Sequence, residues 1–246
     1  MAPFTLGEEP HRLSAARRAE LRRAAADAGI AIVGLHWLLV TPPGLTLNGP
    51  DDGARARTLD VMRRLVGLCA DLGGSVMVHG SPAQRSVAAG DDPAAAWARA
   101  RDALAEVAAE AGVAGVTYCV EPLAPRETNF INTLEEAAAL VRAVGHPALR
   151  TMIDTSAVAQ AEREPVPALI ERWVEAGMIG HVQLNDVNRR GPGQGEATFV
   201  PILAALRRAG YGGGVSIEPF EYVPDGRGCA ARAIGYVRGI EESLAP

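Results

Sequence analysis

The chain has 246 residues, 48% of them hydrophobic, and a formal net charge of −5. That length and apolar content suit one large α/β domain or two small ones and exclude a disordered chain, and the scattered basic residues leave no electrostatic footprint for nucleic acid or an anionic membrane. No apolar run approaches a membrane span, there is no signal-peptide core, and Cys69, Cys119 and Cys229 lie far apart, which reads as a cytoplasmic protein with reduced thiols.

The predicted elements alternate. "SAARRAELRRAAADAG" (14–29) reads as a helix and "IAIVGLHW" (30–37) as a strand. A helix over 54–73 stops at Gly73-Gly74, and "SVMVHG" (75–80) is a strand. The segment 91–112 is a helix with an Asp cap and a proline in its first turn. "GVTYCVEP" is a strand and "TLEEAAALVRAVG" (133–145) a helix. The strand "RTMID" (150–154) leads into helical sequence reaching about Ala176. "IGHVQLND" (179–186) is a strand, 199–210 a helix, "GVSIEPF" (214–220) a strand and 229–244 a closing helix.

Such alternation implies a parallel sheet. The glycine fingerprint of a dinucleotide fold is missing, so a (β/α)₈ TIM barrel over a single domain, 1–246, is the preferred architecture. Six strands follow residue 29, with "MAPFTLG" as the tail of a seventh, so the barrel is expected to lack its first βα unit at the N-terminus. The chain contains no lysine, which excludes Schiff-base and pyridoxal-phosphate chemistry and a lysine-bearing phosphate loop.

Catalytic groups of a barrel gather where strands meet the following loops. His36 and His79 end two strands. The next four end on or near Glu121, Asp154, Gln183 and Glu218. Carboxylates delivered to one rim repel unless protonated or bound to a cation, and oxygen ligands suit Mn²⁺ or Mg²⁺. Asp154 alone reads equally as a helix cap. "RRGPGQGE" (189–196) reads as a glycine-rich loop able to close over a site.

The segments "VEPLAPRETNFINT", "MIDTS", "HVQLNDVNRRGPGQGE" and "VSIEPF", taken in order, resemble the xylose isomerase-like TIM-barrel superfamily in its sugar isomerase/epimerase branch. The resemblance implies one divalent metal ion, Mn²⁺ or Mg²⁺, held by Glu121, Asp154, Gln183 and Glu218, with Glu121 and Glu218 also the acid/base pair. It implies that Glu127 and Arg189 contact a sugar; His36 and His79 are further candidates for the substrate pocket, with packing as the other reading. The implied reaction is proton transfer next to the carbonyl of a ketose or related hydroxy-carbonyl substrate, with an inosose dehydratase-like lyase as the alternative. The implied partners are that small molecule and no nucleic acid or membrane; a homo-oligomer is left open. The sequence departs from the ketose 3-epimerases at Gln183, where they place histidine, and at Ala157, where they carry a substrate-binding histidine. Glutamine at the former position is the pattern of hydroxypyruvate isomerase-like members.

Overall fold

The computed structural model of the chain describes residues 1–245. It divides into two compact units, Met1–Thr151 and Met152–Pro246.

The first unit carries α1 (Ala15–Asp27), β1 (Gly34–His36), α2 (Asp52–Asp71), β2 (Val76–His79), α3 (Pro93–Val113), β3 (Thr117–Val120) and α4 (Leu134–Val144). Its strands are parallel, with Leu35 opposite Met77 and Met77 opposite Tyr118. Helix α2 starts where the Asp51 carboxylate accepts from Gly53 N and Ala54 N, and α4 where Thr133 and Glu136 form a capping box. Along α3 the buried residues Ala96, Ala100, Leu104, Val107 and Ala111 fall at helical spacing and give one core-facing stripe. Gly34 is required by packing: a Cβ there would stand 2.3 Å from the Val76 carbonyl oxygen.

Strand β4 (Leu149–Asp154) crosses the unit boundary. Its first residues pair with β3, Tyr118 opposite Leu149. The second unit continues with α5 (Thr155–Ala161), α6 (Val166–Glu175), β5 (Ile179–Gln183), α7 (Val200–Arg208), β6 (Val215–Ser216) and α8 (Gly226–Ser243). Strands β5 and β6 are again parallel, Val182 opposite Val215. Six strands, hydrogen-bonded in sequence order, are found among the described residues.

Several boundaries differ from expectation. The strand expected over 30–37 is formed only by Gly34–His36; Ile30 and Val33 stay 64% and 61% exposed. The segment expected as the tail of a seventh strand, "MAPFTLG", instead turns as a 3₁₀ helix over Pro3–Leu6, where Pro3 fixes the backbone. Met1 alone behaves as strand: its amine donates to Gly34 O and its carbonyl accepts from His36 N, the two bonds of a parallel ladder beside β1. The single helix expected after Asp154 breaks into α5 and α6, because Pro165 and Pro167 cannot continue α5. Strand β6 ends at Ser216, so Glu218 sits in the loop two residues beyond it.

Candidate active site

In the first unit, polar side chains collect where β2 and β3 end. Strand β3 stops at Val120 and the chain bends, with Glu121 N donating to His79 O at 3.3 Å. The Glu121 carboxylate is buried against Gly80, where an added Cβ would lie 2.1 Å from its Oε2. A side chain at position 80 would displace that carboxylate from where it stands.

His79 is buried, with Nδ1 2.7 Å from the Tyr118 hydroxyl and Nε2 without a partner. Burial, and then the neighbouring Arg85 charge, pull its pKa down to about 3, so the ring is neutral near pH 7. Burial likewise pushes Tyr118 up.

Arg85, on the turn after β2, is fully buried. Its Nη1 donates to His79 O at 3.4 Å, while Nε and Nη2 have no partner. Burial lowers its pKa to about 10, with Glu121 and Glu127 opposing the shift, and the group is cationic at neutrality. Sequence reasoning did not single out Arg85. The signal available was an arginine inside "HGSPAQR", immediately after a strand end.

His36 is half-buried at the end of β1, and Trp37 after it holds a positive φ of 56°, a strained conformation for an aromatic residue. Glu127 is exposed and turned on its own loop, with Oε2 accepting from Ala124 N at 3.1 Å. Asn129 exchanges two hydrogen bonds with the Val87 backbone and ties this loop to the one after β2.

In the second unit, Asp154 is the last residue of β4. Its Oδ1 accepts from Ser156 N and Ala157 N at 2.7 and 3.0 Å, so the helix-cap reading is realised. Its Oδ2 accepts from the Asn185 amide, and the Asn185 Oδ1 in turn accepts from Glu218 N at 2.8 Å. One buried amide thus links two of the expected site residues. Asn185 is itself held by Thr155, whose hydroxyl donates to Asn185 O and accepts from Asn185 N. Burial raises the Asp154 pKa to about 6, its hydrogen bonds pull it back and the Glu218 charge adds to the rise.

Gln183 ends β5, and its Oε1 is buried without a partner. An unmet buried amide oxygen costs about 1–3 kcal/mol, so this atom is a fit for a hard cation or a donor from a ligand. Among the described residues, no three or more histidine, cysteine, aspartate or glutamate side chains gather closely enough to hold a metal ion.

The loop over 189–196 is pinned. Gln194 donates to Val223 O and accepts from the Cys229 thiol, and Arg232 donates to Gly193 O. Asp186 is buried beneath it and accepts from Ala197 N, with Gly195 packed so close that a Cβ would meet the carboxylate at 2.4 Å. Arg189 is exposed at a positive φ of 70°, its guanidinium 5.2 Å from the centre of the Phe220 ring. The sequence reads this loop as able to close; the structure anchors it to α8.

Residues 2–240 match the family model described as Xylose isomerase-like TIM barrel. The chain belongs to that family. Two curated members resemble this xylose isomerase-like barrel. A D-psicose 3-epimerase from Ruminiclostridium cellulolyticum is 31% identical over 71% of this chain and 59% of its own length. An L-ribulose 3-epimerase from Mesorhizobium japonicum is 29% identical over 81% of this chain and 65% of its own. A crystal structure of a D-psicose 3-epimerase in the presence of D-fructose matches with a TM-score of 0.74 at 26% identity, over 89% of this chain and 73% of that one. The chain thus spans less than two thirds of the length of both curated relatives. Among the described residues no helix is long and apolar enough to cross a membrane.

Proposed function

We propose that this chain is a sugar epimerase or isomerase that moves a proton at the carbon next to the carbonyl of a ketose or related hydroxy-carbonyl compound, with the help of one divalent cation. The observation that carries the reading is the second unit's set of oxygen donors at or just beyond strand ends. It comprises the buried, unpartnered Gln183 amide oxygen, the buried Asp154 carboxylate, and Glu218 tied to Asp154 through Asn185. The resemblance to D-psicose and L-ribulose 3-epimerases supports the reaction class. Those relatives are epimerases, so that reading is carried forward in preference to the lyase.

Asp154, Gln183 and Glu218 would hold the ion, which is expected to be Mn²⁺ or Mg²⁺ because every donor is an oxygen. Glu121 is assigned as a fourth ligand by its motif. When bound, such a cation stabilises the negative charge that develops on substrate oxygens as the proton leaves. The protein's own groups do the rest. A glutamate carboxylate takes the proton from carbon, and a second carboxylic acid returns one to the same carbon. Epimerisation results when the return is to the opposite face. Glu121 and Glu218 are the pair proposed. Neutral His79, held by Tyr118, offers Nε2 as a hydrogen-bonding atom without adding charge. Exposed Glu127 and Arg189 are proposed sugar contacts.

The test is proton exchange. Mn²⁺-loaded protein incubated with a panel of ketoses in D₂O should place deuterium at the carbon next to the carbonyl of at least one of them, read by NMR. A folded, metal-loaded protein that exchanges none of them would remove the proposal.

A further inference from the structure

Strands β2 and β3 are parallel, with Met77 opposite Tyr118 and His79 opposite Val120. Side chains alternate along a strand, so these four project from one face of the sheet, and Tyr118 and His79 are diagonal neighbours on it. Both are completely buried, with ring centres 5.9 Å apart and His79 Nδ1 2.7 Å from the Tyr118 hydroxyl.

That bond joins two groups that can each donate or accept, and the surroundings decide which one donates. The imidazole is neutral near pH 7, because burial and the Arg85 charge disfavour its cation, so one ring nitrogen carries a hydrogen. Suppose that nitrogen is Nδ1, donating to the phenol oxygen. The phenol hydrogen then has no acceptor, since among the described residues the Tyr118 hydroxyl makes no other hydrogen bond. The Nε2 lone pair is unmet too. That arrangement strands two buried polar groups. With the hydrogen on Nε2, Tyr118 donates to Nδ1 and Nε2–H alone is stranded. An extra unmet buried group is costly enough to shift such an equilibrium by about tenfold or more. Arg85 agrees with this assignment. Its Nε and Nη2 are donors without a partner, and a lone pair at Nε2 would offer them an acceptor, yet no bond forms.

We infer that Tyr118 is a positioning residue: its hydroxyl donates to His79 Nδ1 and holds the imidazole as the Nε2–H tautomer, which makes His79 a neutral hydrogen-bond donor to an oxygen of the substrate and not a base. This rests on the epimerase or isomerase reading and deepens it. As a proton leaves carbon, negative charge gathers on the neighbouring carbonyl oxygen. An N–H fixed in advance stabilises that charge and offers no competing proton acceptor. The tautomer itself is set inside the first unit, by β2 and β3 alone.

The experiment reads the tautomer directly. The full chain labelled with ¹⁵N-histidine, free of metal and substrate, is studied by two-bond ¹H–¹⁵N correlation, with His79 assigned through its contacts with the Tyr118 ring or by its loss in His79→Gln. In wild type, Nε2 should show the shift of a protonated ring nitrogen and Nδ1 that of a bare one. A hydrogen on Nδ1 overturns the inference, and this needs no Tyr118 variant to fold. Tyr118→Phe deletes the donor, so the two ¹⁵N shifts should draw together as the tautomers interchange; shifts unchanged from wild type overturn the inference as well. Proton exchange in D₂O is then followed on Mn²⁺-loaded protein with D-psicose and L-ribulose as probes. Tyr118→Phe should lower kcat by about tenfold or more with KM changed by less than about threefold, since the charge that Nε2–H meets develops in the transition state. Exchange by Tyr118→Phe with the wild-type kcat removes the positioning role. The expected tautomer in a chain that exchanges neither ketose counts against the catalytic reading and leaves the Tyr118–His79 assignment standing.

Discussion

The polar clusters around Asp154 and around His79 handle burial differently. In Met152–Pro246 the groups around Asp154 satisfy one another, while Gln183 Oε1 is left open: Asp154 caps α5, Asn185 joins Asp154 to the Glu218 backbone, and Thr155 exchanges two hydrogen bonds with Asn185. In Met1–Thr151 the chain leaves Arg85 Nε and Nη2, His79 Nε2 and the Asn48 Oδ1 without partners. Buried polar groups are normally paired, and each exception calls for a reason. A closed network fixes side chains in place before anything binds. An open set of polar atoms keeps binding energy in reserve for a ligand. The contrast therefore separates the fixed Asp154–Asn185–Glu218 network from the open atoms of the first unit's cluster and of Gln183.

The largest effect is expected where the chemistry is assigned. Glu121→Gln and Glu218→Gln should each cut turnover by at least about a hundredfold, the low end for lost general acid/base catalysis. Metal content measured on the same samples separates the two roles. A variant that keeps its ion and loses exchange identifies an acid/base group.

Gly80→Ala should follow. A methyl 2.1 Å from Glu121 Oε2 must push the carboxylate aside. A displacement of about 1 Å can cost on the order of a hundredfold in rate, so a loss of about ten- to a hundredfold is expected, with the melting temperature shifted far less. Unchanged turnover would mean that the position of Glu121 does not matter to the reaction.

Asn185→Ala tests the closed network. It strands the Glu218 N–H and removes the donor to Asp154, and a buried group left unpaired costs about 1–3 kcal/mol. Denaturant unfolding should show that loss. Mn²⁺ affinity should fall with it if Asn185 orients Asp154 for the ion.

The smallest effect is in the wild-type pH dependence, because two groups oppose each other. His79 has its folded pKa lowered from 6.5 to about 3, so between about pH 4 and 6 the unfolded chain holds the extra proton. Its contribution to stability is then lost as pH falls. Asp154 has its folded pKa raised from 3.8 to about 6, so over the same range the folded chain holds the extra proton and stability grows as pH falls. Each slope is at most about 1.4 kcal/mol per pH unit, and they cancel. In the metal-free protein, His79→Gln should make stability fall more steeply with rising pH, and Asp154→Asn should make it rise. A single variant that leaves the slope unchanged shows that its residue does not titrate as its burial requires.

Much of this was legible in the sequence. Apolar β-branched runs ending in His79, Glu121, Asp154 and Gln183 mark strands and their rims, since the strand pattern and the change to polar residues are local properties. Helix starts at Asp92 and Thr133 were equally local, whereas α2 begins at its Asp51 cap, ahead of the helix expected over 54–73. What could not be read depends on distant contacts. "IAIVGLHW" has strand composition, yet Ile30 and Val33 stay exposed and unpaired as strand, because pairing is decided by neighbours and not by propensity. "VSIEPF" reads as a strand end at Glu218, but Pro219 and the Asn185 contact place that glutamate in a loop. Asn185 and Arg85 were missed for the same reason. An amide that joins Asp154 to Glu218, and a guanidinium whose open edge is buried, leave no periodic or motif signal.

The central claim is proton transfer at the carbon beside a carbonyl, and D₂O exchange tests it most directly. Mn²⁺-loaded wild-type protein should place deuterium at that carbon in at least one of a panel spanning D-psicose, L-ribulose, D-fructose and 2-ketogluconate, and Glu218→Gln should lose the signal while retaining the ion. No deuterium above the protein-free blank in any of these compounds, from folded protein with Mn²⁺ bound, would contradict the account.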